Sequence, residues 1–324
     1  MKPDCRFVIF VTAIALSMAC AVAQPASSQL QLESVTVTAS HPSADAINDF
    51  VFSHASPTRV LDKVARWTKG ICPQTYGLAP KYAQYVTQRV RSIAASVGAP
   101  VNTDATCRPN IQIVFTTTPQ TLLDNIRDNQ PIFLGYHRNK DQAARMATIR
   151  HAIQSWYTTA TGDVTGQPEV DSPRAGGITF QLPSPPPTGP GGMDGFAGGT
   201  FTLNLPNASA RSSTGGRLGD GLTSNFYNVV VVAEPAKLTD FEVGAVADYI
   251  AMLALAQPGP LEACEAVPTI TNMLLNGCAN PVATVTDGDL AYLHGIYNMS
   301  LAGTLQMQRS QIRYQMIKTL KRDE

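Results

Sequence analysis

The sequence contains none of the short patterns that carry hydrolytic or metal chemistry. There is no H-E-x-x-H, no G-x-S-x-G elbow and no S-x-x-K. Those arrangements place two zinc ligands and a base on one helical face, or a base beside a nucleophilic hydroxyl. The five histidines, His41, His54, His137, His151 and His294, stand apart, none at ligand spacing from another. No C-x-x-C pair exists to seed a zinc site, and no glycine-rich loop ends in G-K-[ST] to cradle phosphate. Charge is scarce and balanced: 24 Lys and Arg face 24 Asp and Glu, 15% of the 324 residues together. That leaves no basic excess to suggest nucleic acid. No metal, cofactor or nucleic-acid partner is expected.

Long apolar runs are missing too. The only one near the N-terminus, Phe7 to Ala19, falls short of the about 20 residues that span a bilayer. It follows Lys2 and Arg6 and precedes Ala21-Val22-Ala23, small residues placed for cleavage before Gln24. Residues 1–23 therefore read as a secretory signal peptide, with a periplasmic or secreted destination. Lipoprotein processing at Cys20 is the rival, but a lipobox wants leucine where Ser17 stands. Cleavage after Ala23 leaves Cys72, Cys107, Cys264 and Cys278. An even number in an oxidising compartment predicts disulfides. Three connectivities are open. Cys264 with Cys278 closes a short loop, and Cys72 with Cys107 a larger one across a helix, each adding about 2–4 kcal/mol.

What is present reads as one α+β domain over 45–324, behind a polar tether at 24–44. Helices are predicted at Val60–Trp67 and Lys81–Val97, and after Thr118-Pro119, where Thr118 is placed as a cap. Strands are predicted at Ile111–Thr116 and at His151–Thr158, the second with Ile153, Ser155 and Tyr157 on one face. The Gly- and Pro-rich stretch 162–217 holds two alternating runs, Gly177–Leu182 and Thr200–Leu205, which predict a long β-hairpin. Phe226–Val232 is the strongest strand and belongs at the sheet centre. The strands at Ile111, His151, Ile178, Phe201 and Val229 are expected to share one mixed sheet. Val243–Ala256 is apolar nearly all round, which predicts a buried central helix, capped by Thr239 and Glu242 and stopped by Pro258 and Pro260. Thr286 and Asp289 form a second capping box. Gly303–Arg322 is an amphipathic helix with Leu305, Ile312, Met316, Ile317 and Leu320 inward and Arg309, Arg313, Lys318, Lys321 and Arg322 elsewhere. Its basic face is solvated surface or a docking face for an acidic partner or anionic lipid.

Two segments carry resemblances. Leu32-Glu-Ser-Val-Thr-Val-Thr-Ala39 resembles the TonB box of outer-membrane receptors, which binds its partner by adding a strand. Val35, Thr36, Val37, Thr38 and Ala39 are then the partner-binding candidates. The same alternation also suits an edge strand or an unstructured tail. The second segment runs from about Lys237 to Tyr297. It combines a helix with Ala247-Asp-Tyr-Ile-Ala251, a turn Val267–Met273, and Val285-Thr-Asp-Gly-Asp289 followed by Leu293 and Ile296-Tyr297. This resembles the second half of a zincin metallopeptidase domain, and is closest to the zincin-like proteins that bacteria export. In that family the helix carries H-E-x-x-H and a methionine turn follows. Here both histidine positions are alanine, Ala247 and Ala251; Asp248 replaces the glutamate and Gln257 stands where a third histidine would fall. The resemblance implies a zincin-like shell with a degenerate, metal-free site at Ala247, Asp248, Ala251 and Met273. Asp248, in an apolar helix, is expected to bond a neighbouring backbone group or an arginine.

The function expected is therefore a binding or structural role outside the cytoplasm, without catalysis, for a protein or small ligand. Two alternatives stand beside it: an exported hydrolase with a site outside the known motifs, and an accessory of TonB-linked outer-membrane transport.

Overall fold

The computed structural model describes residues 42–162, 168–171, 178–185, 196–205, 221–278 and 282–321. The expected signal peptide, the Val35–Ala39 segment, His41 and the tip of the hairpin lie outside these residues.

The chain is α+β, built on a mixed sheet. Helix α1 (Ala44–His54) opens it, capped by Ser43, whose hydroxyl accepts from Ala46 N. Strand β1 (Pro73–Tyr76), helix α2 (Pro80–Ser96) and strand β2 (Ile111–Phe115) form a parallel crossover unit. Helices α3 (Pro119–Asn129) and α4 (Lys140–Met146) lead to strands β3 (Ile153–Gly162) and β4 (Pro168–Val170). A hairpin of β5 (Ile178–Pro183) and β6 (Thr200–Leu205) precedes β7 (Thr223–Ala233). The chain ends with α5 (Val243–Leu255), α6 (Asp287–Asn298) and α7 (Leu305–Leu320).

The sheet order is β1-β2-β7-β3-β4, with β7 parallel to β2 and antiparallel to β3. The Val229–Val232 run is central and buried on both faces, as a strand under helical layers must be. One face carries α1, α2, α5, α6 and α7; the other carries α3, α4 and the hairpin. The hairpin is a two-stranded sheet of its own, which corrects the expectation that β5 and β6 join the main sheet. Phe180, Leu182, Leu203 and Leu205 lie on its buried side and pack with Leu122, Leu123 and Val230, so it lies over the sheet instead of extending it. Strand β1 is short and half polar, and carries no periodic signal.

Other local expectations are corrected. Val60–Trp67 is not a helix. Thr58 N donates to Lys63 O, Asp62 takes a positive φ of 53°, and Pro57 bridges Val64. Val64, Ala65 and Trp67 are buried from this extended segment, a gain that outweighs local helix propensity. Thr239 and Glu242 form no capping box: Glu242 holds the N-cap position of α5 without a side-chain bond, and a turn from Leu238 to Phe241 takes Thr239 away from the helix end. Thr118 likewise makes no side-chain cap on α3, although Pro119 occupies the first turn. The Thr286–Asp289 box is present in full. In α7 the buried side includes Gln308, whose Oε1 accepts from Val64 N, alongside Ile312, Met316 and Leu320. Arg309 leaves the solvated face to bond Ala55 O and cover the Phe52 ring.

Candidate functional site

Asp248 is 2% exposed on α5, among alanines and large apolar side chains. Its carboxylate accepts from Arg89 Nε at 2.5 Å and Nη2 at 2.9 Å, Thr284 Oγ1 at 2.8 Å and Val285 N at 2.8 Å. Burial by itself would raise its pKa. The bonds from Arg89, Val285 and Thr284 outweigh that and hold it below the usual carboxylate range. The group thus ties α5 to α2 and to the chain entering α6. A carboxylate so fully engaged is a poor proton acceptor for a substrate.

The other degenerate-site positions surround it without making a site. Ala247 and Ala251 are fully buried and offer only methyl groups. Met273 lies in the 3-10 turn Ile270–Leu274, packed in the same core as α5. Among the described residues no three His, Cys, Asp or Glu side chains converge as a cation cage. The cysteines pair Cys72 with Cys107 and Cys264 with Cys278. The first bond fastens the chain just before β1 to the approach to β2; the second closes the loop carrying Thr269, Thr271 and Met273.

That loop meets α1 through a buried polar chain. His54, 1% exposed, stacks on Phe50, with Nδ1 2.9 Å from Ser53 Oγ and Nε2 3.0 Å from Thr271 Oγ1. Glu265 Oε1 lies 3.6 Å from Nδ1. Thr271 Oγ1 is 3.0 Å from Thr269 Oγ1, which donates to Asp289 Oδ1. Burial lowers the His54 pKa to about 4, and burial raises those of Asp289 and Glu265. Hydroxyl, imidazole and carboxylate stand in the order of a nucleophile relay. Thr271 and His54 are nevertheless sealed in the core, where the network orients the disulfide loop. His294 is exposed and bonds Asn298.

The open feature is a groove of about 520 Å³ along one edge of β3. Antiparallel strands alternate between residues facing the partner and residues facing away. Glu234 N donates to Ala152 O, and Gln154, Trp156 and Thr158 pair with Val232, Val230 and Asn228 in the same phase. The main-chain groups of Ile153, Ser155 and Tyr157 therefore face the opposite edge. There β4 pairs with Ala160–Gly162, and Asp171 N just after it donates to Thr159 O. Gly135, at φ 92°, closes against Tyr157: a Cβ on it would stand 2.6 Å from Tyr157 O, so no larger residue fits. Among the described residues no strand covers Ile153, 2% exposed, or the partly exposed Ser155, and both line the groove.

The far wall is the end of α5 and the strap Pro258–Glu262. Tyr157 Oη donates to Leu253 O or Ala256 O and forms the floor. Gly259 N donates to Ser53 O and anchors the strap on α1. Gln257 lines the groove, and its buried Oε1 has no hydrogen-bond partner among the described residues. Arg59, Arg145, Arg150 and Glu262 stand around the mouth. Apart from Gln257, which the zincin resemblance singles out, sequence reasoning missed these residues. Its one usable signal was the polar pair Gln154-Ser155 inside a strand with an apolar inner face.

No family model, curated protein or solved structure matches the chain. The functional reading rests on the chain's own geometry.

Proposed function

We propose that the protein is an exported binding protein without catalytic activity, a zincin-like shell that has lost its metal site and holds an extended polypeptide segment along β3. The observation that carries this reading is the stretch of β3 edge at the partly exposed Ser155 and the adjoining Ile153, 2% exposed, which no strand among the described residues pairs and which lines a groove of about 520 Å³. An unpaired edge offers main-chain donors and acceptors in the spacing an added strand satisfies. The alanines at 247 and 251 support the metal-free reading, since a methyl group donates no lone pair. The engagement of Asp248 supports it further. Two disulfides, and the absence among the described residues of a helix long and apolar enough to cross a membrane, are compatible with work outside the cytoplasm.

Elemental analysis of the purified protein is expected to find no stoichiometric zinc; one zinc per chain would overturn the metal-free reading. Amide hydrogen exchange with a pool of extended octapeptides addresses the groove. Protection is expected at the Ile153 and Ser155 amides, and protection absent there would remove the strand-edge site.

A further inference from the structure

The sequence as a whole carries no net formal charge, yet the groove does. Arg59, Arg145 and Arg150 face one carboxylate, Glu262. Several arginines elsewhere are engaged, Arg89 by Asp248, Arg127 by Asp124 and Asp128, Arg66 and Arg309 by backbone carbonyls, while Arg108, Arg138 and Arg313 stand singly without a side-chain bond among the described residues. Among the described residues Arg59, Arg145 and Arg150 make no ion pair, and the only bonds of Arg59 are at 3.4 Å, to Tyr136 O and Met146 Sδ. Unneutralised guanidinium groups beside a strand edge favour a guest that brings carboxylates, which they bind with paired, charge-assisted hydrogen bonds.

We infer that the groove selects an acidic extended peptide with carboxylates at alternate positions. This rests on the strand-edge reading above. Side chains of a guest strand point alternately to its two sides, with like-facing residues about 7 Å apart. One side faces α4, because Trp156 Nε1 donates to Met146 O and Arg145 lies on that helix. The other faces the end of α5 and Gln257 Oε1, which has no partner among the described residues. A buried acceptor of this kind is costly until a donor reaches it. The geometry thus points to Glu or Asp toward the arginines, and Ser, Thr or Asn toward Gln257.

The probes are an acetylated octapeptide of alternating threonine and glutamate and its threonine–glutamine counterpart, labelled for fluorescence anisotropy. The acidic peptide is expected to bind at least tenfold more tightly, with the difference shrinking as salt rises and disappearing in Arg145→Gln/Arg150→Gln. Both peptides should lose binding in Ser155→Pro, which removes a donor facing the groove and no ladder bond. Amide protection at Ile153 and Ser155 in the unaltered protein gives the same test should that variant fold poorly. Equal affinities for the two peptides would overturn the acidic preference and leave the strand edge standing. Acidic binding that persists without protection at those amides would overturn the extended-strand mode. Binding of neither peptide would overturn both.

Discussion

Asp248 shows how one residue in an apolar helix can decide between chemistry and structure. An isolated carboxylate there would be strongly destabilising. Four hydrogen bonds, two of them from one guanidinium, remove that cost and fix α2, α5 and the entry to α6 in one arrangement. Asp248→Asn keeps the shape, loses the charge and turns one acceptor into a donor facing Arg89 or Thr284. Arg89 is partly exposed and can be rehydrated, so the loss should fall at the low end for a broken buried pair, about 2 kcal/mol. Urea denaturation measures it; an unchanged midpoint would show that the carboxylate is no clamp. The expectation that Asp248 bonds an arginine or backbone came from burial logic alone. Its identity as a partner of Arg89 did not, because nothing in the sequence relates positions 159 residues apart.

At the level of elements, regular periodicity carried information and irregular segments did not. Helices α2, α6 and α7 and strands β2, β3 and β7 were legible, each having a repeating apolar face or a β-branched run. Val60–Trp67 was misread because its apolar residues mimic a helical turn while tertiary burial holds them extended. Strand β1 was missed because four half-polar residues leave no pattern. Capping was legible only where both partners lie on the helix end, as with Thr286 and Asp289. The loop closed by Cys264–Cys278 belongs with the irregular segments, and its conformation depends on the crosslink and the His54 chain. Cys264→Ser/Cys278→Ser should therefore cost about 3 kcal/mol by the loop-closure relation. That loss should appear as a lower Tm together with faster amide exchange in the turn Ile270–Leu274. Equal Tm and equal exchange would mean that the hydrogen bonds alone hold the loop.

For the whole molecule, the α+β class and the buried central helix could be read in advance, but the groove could not. Its parts, Arg59, Arg145, Ser155, Gln257 and Glu262, come from four separate stretches, and only the topology β7–β3 with α5 behind brings them together. The His54 chain is a similar long-range assembly, and it governs how the molecule responds to acid. The folded pKa of His54, about 4, lies below its ordinary 6.5 because burial excludes the charged form. Between those values the unfolded chain takes up a proton that the folded chain refuses, so stability falls as pH drops from about 6.5 to 4. The shift corresponds to about 3 kcal/mol over that window. Glu265 and Asp289, whose pKa values burial raises, act in the opposite sense: their charged forms are disfavoured in the fold, and protonation relieves that. The His54 contribution must therefore be isolated by difference. His54→Gln retains a polar side chain at that position without a group that titrates here. Denaturation curves at a series of pH values should show the unaltered protein losing about 3 kcal/mol more than His54→Gln across the window. Parallel curves would mean that His54 is not held neutral by burial.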